Sequence, residues 1–294
     1  MTGRLLVVGL LTLLVLVSAW LLVAATPLVI VLAAGVPAAA YAVVIIRLDR
    51  DRREPLSALM AAFIGGALVA ALAASAINDA VGAWTAGTPS DRWVAAVLAA
   101  PLLEEVAKAV VLGAVLRIWL AYFDGVLDGM VYGALVGLGF AMTENLGYFT
   151  LAAVQGGPGG LARSLYLRAV LQGLIHPVFT AAAGAGFGYA RETRSVWVRW
   201  LAPLIGLGAA VVQHVVWNGV VSAEVTRLLC AAATADGRCL AVPPPVRLYA
   251  AVPAVIGAFL APSLLILGAM VRRRLRYAGR SRGTSAGDQM ARAG

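Results

Sequence analysis

Pro101-Leu-Leu-Glu-Glu-Val-Ala-Lys108 stands near the middle of an apolar run from Trp93 to Leu116. A helix of that length crosses a bilayer, because ~20 residues at ~1.5 Å each span the hydrocarbon core. Two adjacent carboxylates at that depth are costly; even insertion scales charge ~3 kcal/mol for an acidic residue there. Glu104 and Glu105 precede Lys108 by four and three residues, so either can pair with its ammonium on one helix face. Pairing lowers the cost without removing it. The stretch is therefore either a buried ion pair that sets helix register or a polar reaction centre enclosed by other helices.

Composition places the rest of the chain around it. Of 294 residues, 62% are hydrophobic and 13% charged, where a soluble domain carries ~25% charged. The medium for most of the surface is then the lipid bilayer. The net charge of +9 resides in loops and in the C-terminal tail rather than on one face, which argues against a nucleic-acid partner.

Eight apolar spans of transmembrane length follow from hydropathy: Leu5–Ala25, Leu28–Ile46, Leu56–Ile77, Trp93–Leu116, Asp128–Thr150, Tyr166–Ala190, Trp200–Ser222 and Leu248–Val271. The first lacks a cleavage-site signature and is kept as a helix. Gly156-Gly-Pro-Gly-Gly160 reads as a loose loop between the fifth and sixth spans. The fold expected is an all-α, polytopic bundle of about eight transmembrane helices. An even number puts both termini on one side. Of the 23 Lys and Arg, 16 then fall on that side and 6 on the other, with Lys108 inside the membrane, so both termini are expected in the cytoplasm. Residues 1–271 read as a single transmembrane domain, and the basic, small-residue-rich 272–294 as a disordered cytoplasmic tail. Cys230 and Cys239 share an outer loop, where the redox setting permits a disulfide.

Three further polar groupings sit at membrane depth. In the run from Asp128 to Asn145, Gly129, Gly133 and Gly137 recur every four residues and let another backbone approach. Glu144, seven after Gly137, lies on the same stripe and points into the bundle. His176 shares a face with Thr180 and Gly184, and Pro177 leaves the Gly173 carbonyl without its helical donor. His214 stacks one turn from Asn218. These are the only two histidines of the chain, and each has a polar companion one turn away.

Such a set suits hydrolysis by either of two routes. Carboxyls held in different protonation states can take and return a proton, with imidazole and carboxamide orienting water or an oxyanion. Alternatively, Glu and His can hold a divalent metal such as Zn²⁺ that activates water; Glu105, Glu144, His176 and His214 are the candidate ligands. The chain contains no His-Glu-x-x-His and no Gly-x-Ser-x-Gly. A proton- or ion-coupled transporter would also place Glu, His and Lys at mid-membrane, although no internal repeat is evident.

Taken together, Glu104-Glu-x-x-Lys108, Asp128-Gly-x-x-Tyr-Gly through Glu144-Asn145, His176-x-x-x-Thr180 and His214-x-x-x-Asn218 resemble the PrsW family of intramembrane proteases, distant relatives of the CAAX-processing glutamate proteases. The motif core covers about 101–218. The resemblance implies a multi-pass cell-membrane protease that cuts single-pass, membrane-anchored substrates of the anti-sigma-factor kind. It implies Glu104, Glu105, Glu144, His176 and His214 as catalytic residues, with Lys108, Asn145, Thr180 and Asn218 supporting them. Counting ~1.5 Å per residue from the outer span ends puts the carboxylates and histidines at or outside mid-membrane. A cavity opening outward is therefore expected.

Overall fold

The computed structural model describes residues 17, 27–48, 54–84, 88–230 and 244–293; apart from Val17, the expected first span lies outside them, as does Cys239. Every regular element among the described residues is helical. They form α1 (Leu28–Leu48), α2 (Leu56–Trp84), α3 (residues 89–118), α4 (Val126–Ser164), α5 (Ile175–Glu192), α6 (Val196–Leu229) and α7 (Val252–Ala293).

Among the described residues, five stretches are long and apolar enough to cross a membrane: Leu28–Leu48, Leu56–Trp84, Val126–Glu192, Val196–Leu229 and Arg247–Arg272. Two differences from the expected eight have a physical cause. The helix bearing Glu104, Glu105 and Lys108 carries too much charge to qualify on composition. The fifth and sixth expected spans are nearly continuous in Val126–Glu192, because no loose loop separates them. Within Val126–Ser164, Gly157 alone leaves helical geometry, with φ 59°, a left-handed conformation that glycine adopts without penalty. Pro158 then restarts the helix.

Chain direction reverses at that glycine. Gly129 packs on Gly184, Gly133 on Thr180 and Gly137 on His176, an antiparallel register centred near residue 157. A Cβ on Gly137 would lie 2.7 Å from the His176 carbonyl carbon and 2.8 Å from Thr180 Oγ1, so only glycine permits this approach. The four-residue spacing read from the sequence is thus the contact line between α4 and α5. The α4–α5 pair is the centre of the molecule: 78% of the most apolar stretch of Val126–Glu192 is buried, against 39% or less in the other four. α2 lies against α4 through Gly139 and Phe63 and through Thr143 Oγ1 donating to Ala67 O (2.7 Å).

Local signals explain where α3 begins. Thr88 caps it: Asp91 N donates to Thr88 Oγ1 and Thr88 N donates to Asp91 Oδ2, a reciprocal capping box with Pro89 in the first helical turn. Pro101 then has no N–H to donate to Val97, and a widened turn at Ala95–Ala99 absorbs the misfit. Similar widened turns occupy Leu165–Leu171 and Trp217–Val221. Between the first of these and α5, residues 172–174 are bent. Pro177 consequently falls in the first turn of α5, where a missing N–H costs nothing; the expected disruption sits just before His176 instead. Outward-facing side chains such as Val110, Leu204, Ile205 and Leu265 are all more than 60% exposed, as the lipid-facing surface of a membrane protein requires. The last helix extends to Ala293, so its final part covers the basic stretch 272–293.

Candidate active site

α2, α3, α4, the limb 158–171 and α6 enclose a cavity of about 700 Å³. Its lining includes Asn78, Glu104, Glu144, Arg168, His176 and His214. From Glu144 it extends to Gln155 and Gly156 at the tip of the hairpin, ~17 Å along α4 at ~1.5 Å per residue. Glu105, Lys108 and Thr180 are not on the cavity wall; they sit behind it, each 1% exposed or less.

The two adjacent glutamates divide in role. Consecutive helical residues point ~100° apart, so one faces the cavity and the other faces α5. Glu105 is a saturated hub. Its Oε1 accepts from Lys108 Nζ at 2.7 Å and bonds His214 Nδ1 at 2.9 Å, and its Oε2 takes a long bond from Thr180 Oγ1 (3.4 Å). Glu104 is only half satisfied. Asn78 Nδ2 donates to its Oε1 (3.1 Å), while its Oε2 is shielded from solvent without a hydrogen-bond partner. That oxygen lies 3.7 Å from His214 Nε2 and 3.8 Å from Lys108 Nζ.

Hydrogen bonding sets the histidine tautomers. An ammonium only donates, so Lys108 Nζ, 3.0 Å from His176 Nδ1, makes that nitrogen the acceptor. His176 Nε2–H then donates to Glu144 Oε2 (3.1 Å). Glu105 receives His214 Nδ1–H, which leaves the Nε2 lone pair of His214 turned toward Glu104 Oε2. The two rings stand 5.1 Å apart, edge to face. Lys108 Nζ also lies 3.8 Å from the Phe140 ring centroid, a cation–π contact that suits a desolvated ammonium.

Glu144 has a second partner that hydropathy conceals. Arg168 Nη2 donates to Glu144 Oε2 (2.8 Å), Arg168 Nε donates to Asn145 Oδ1 (2.8 Å), and the guanidinium lies 3.5 Å over the Tyr148 ring. Neither Arg168 nor Asn78 was legible as a site residue. Arg168 reads as a cation near the edge of the sixth span, and Asn78-Asp79 reads as the end of the third, yet α2 continues as helix to Trp84. Asn218 lines the cavity but does not bond His214; its Nδ2 donates to Ala96 O (3.0 Å) across the widened turn of α3. Cys230 is disulfide-bonded.

Three carboxylates, Glu104, Glu105 and Glu144, share this cluster with two basic side chains, Lys108 and Arg168. One negative charge is in excess, which a proton or a bound cation would neutralise. Potential metal-binding atoms of Glu104, His176 and His214 all lie within 4.8 Å of one another. This grouping has Glu104 where the sequence suggested Glu105 and Glu144; those two instead hydrogen-bond His214 and His176, as carboxylates commonly orient metal-bound imidazoles. Two histidines and one glutamate with an open cavity beside them match the donor set of catalytic zinc sites. Glu104 Oε2 and His214 Nε2 offer unengaged lone pairs, whereas His176 joins them on releasing one of its two hydrogen bonds. The residues fit such an ion.

Residues 54–258 match the family described as PrsW family intramembrane metalloprotease. No curated protein and no solved structure matches the chain. The matched region includes α2 through α6 and every residue of the cluster around Glu104, and it covers well over half of the sequence. The chain belongs to the PrsW family of intramembrane metalloproteases.

Proposed function

We propose that this chain is a multi-pass cell-membrane peptidase with both termini in the cytoplasm, cutting single-pass, membrane-anchored proteins near the outer boundary of the membrane. Glu104 acts as its proton-transfer residue. The observation that carries this reading is the solvent-shielded, donor-less Oε2 of Glu104, facing His214 Nε2 at 3.7 Å on the cavity wall. A water between these acceptors donates one hydrogen to each. Glu104 takes its proton as the water oxygen forms a bond to the scissile carbonyl carbon, and the carbonyl π pair moves onto its oxygen. When that pair returns, the C–N bond breaks, and Glu104 delivers the proton to the leaving nitrogen. Glu105 holds His214 in the tautomer that keeps Nε2 unprotonated, and Arg168 anchors Glu144 against His176. On the alternative route, a divalent metal held by Glu104, His176 and His214 would acidify its water and polarise the scissile carbonyl in place of proton transfer by Glu104.

The excess of basic residues on one side supports the orientation. In it, the hairpin tip at Gly157 faces outward, and the cavity reaching Gln155 admits water from that side. The family match gives the transporter alternative no observation of its own.

The test uses the purified chain reconstituted in liposomes with single-pass reporter proteins, products being identified by mass. Wild type should cut and Glu104→Gln should not, while chelator treatment followed by Zn²⁺ addition reports on metal. Near-normal cleavage by Glu104→Gln would remove Glu104 from the chemistry.

A further inference from the structure

Asn78, on the cavity wall, hydrogen-bonds Glu104 from α2, a helix that carries none of the four motifs. Its amide nitrogen donates to Glu104 Oε1 at 3.1 Å, a contact made by α2 across to α3. Its own Oδ1 is shielded from solvent and without a hydrogen-bond partner, as is Glu104 Oε2. Two bonded side chains therefore each present a dry acceptor with no donor. A buried unsatisfied acceptor costs ~1–3 kcal/mol, and a stable fold tolerates two in one bonded pair where a ligand supplies the hydrogens.

The amide orientation is settled by chemistry. Reversing it would set Oδ1 against a carboxylate oxygen and forfeit the one donor Glu104 receives. Nor is the placement forced by helix formation, since asparagine is a poor helix former and sits here near the end of α2.

We propose that Asn78 is a positioning residue for the proteolytic reaction. It fixes the carboxylate plane of Glu104 by holding Oε1, leaving Oε2 for the reacting water, and its Oδ1 accepts a hydrogen from the substrate backbone N–H. The inference rests on the peptidase reading and adds to it a residue from α2. Asparagine suits the role because it donates and accepts at one carboxamide; aspartate has the same shape and no hydrogen to donate.

The experiment measures kcat and KM separately on a single-pass reporter in liposomes, cut by wild type and not by Glu104→Gln. Asn78→Asp and Asn78→Ala should each lower kcat ~10–100-fold, the usual loss for an outer partner of an active-site ligand, with KM within about twofold. Asn78→Gln, which retains a carboxamide, should recover much of that loss. Thermal unfolding of Asn78→Ala in detergent should stay close to wild type, separating a role in turnover from one in packing. Wild-type kcat in Asn78→Asp would overturn the inference and leave the protease reading intact. A wild-type chain that cuts no reporter would overturn both.

Discussion

Replacing Lys108 by methionine tests whether the buried cluster is held by charge. The Lys108 side chain is 0% exposed, and its Nζ lies 2.7 Å from Glu105 Oε1 and 3.0 Å from His176 Nδ1. Methionine fills much of the same volume, so the loss of packing is small. The loss of charge is not. At 2.7 Å and an effective dielectric of about 20, the attraction to Glu105 is ~6 kcal/mol before relaxation. Glu105 keeps its bond to His214, which offsets part of this, and removing one partner of a buried pair typically costs ~3–5 kcal/mol net. Lys108→Met should therefore destabilise the protein by ~3–5 kcal/mol, measured by reversible unfolding in mixed micelles. The partner change sharpens the test. Glu105→Gln in the Lys108→Met background removes the stranded charge, so the double variant should be more stable than Lys108→Met alone, with a coupling energy of at least ~2 kcal/mol. A cost below ~1 kcal/mol for Lys108→Met, or a double variant no better than the single one, would show that the Lys108–Glu105 pair is not what holds the cluster.

Gly137→Ala should push α4 away from α5 at His176, costing ~1–3 kcal/mol by overpacking and reducing cleavage out of proportion to the folded fraction; wild-type activity in the folded variant would show that the close approach is not required. Arg168→Lys keeps the charge but loses the planar fork that spans Glu144 and Asn145 and stacks on Tyr148. Its kcat on the single-pass reporter should fall ~10-fold or more, and full retention would reduce Arg168 to a general source of positive potential.

The α4–α5 hairpin shows how sequence and tertiary structure share the work. Glycines at 129, 133 and 137 announce a close helix contact from spacing alone, because 3.6 residues per turn stacks every fourth position on one face. That spacing also placed Glu144 toward the bundle, where the structure has it bonded to His176. What spacing left open was the partner. Gly184, Thr180 and His176 fill that place because the chain reverses at the single residue Gly157, whereas five residues rich in glycine read as a loop.

The apolar runs, the buried charges among them, the paired histidines and the family motifs are properties of neighbours in sequence, so the helical membrane class, the protease family and the site candidates could be read from the chain alone. The division of labour between Glu104 and Glu105 could not. Adjacent residues on a helix differ by a fixed rotation, but which of them meets the cavity depends on how α3 is turned against α5 and α6, and those contacts join residues up to 122 apart. Asn78 and Arg168 were hidden for the same reason. Each looks like the edge of an apolar span in one dimension. Each becomes a partner of a site carboxylate only when another helix, 26 or 24 residues away along the chain, is folded against it.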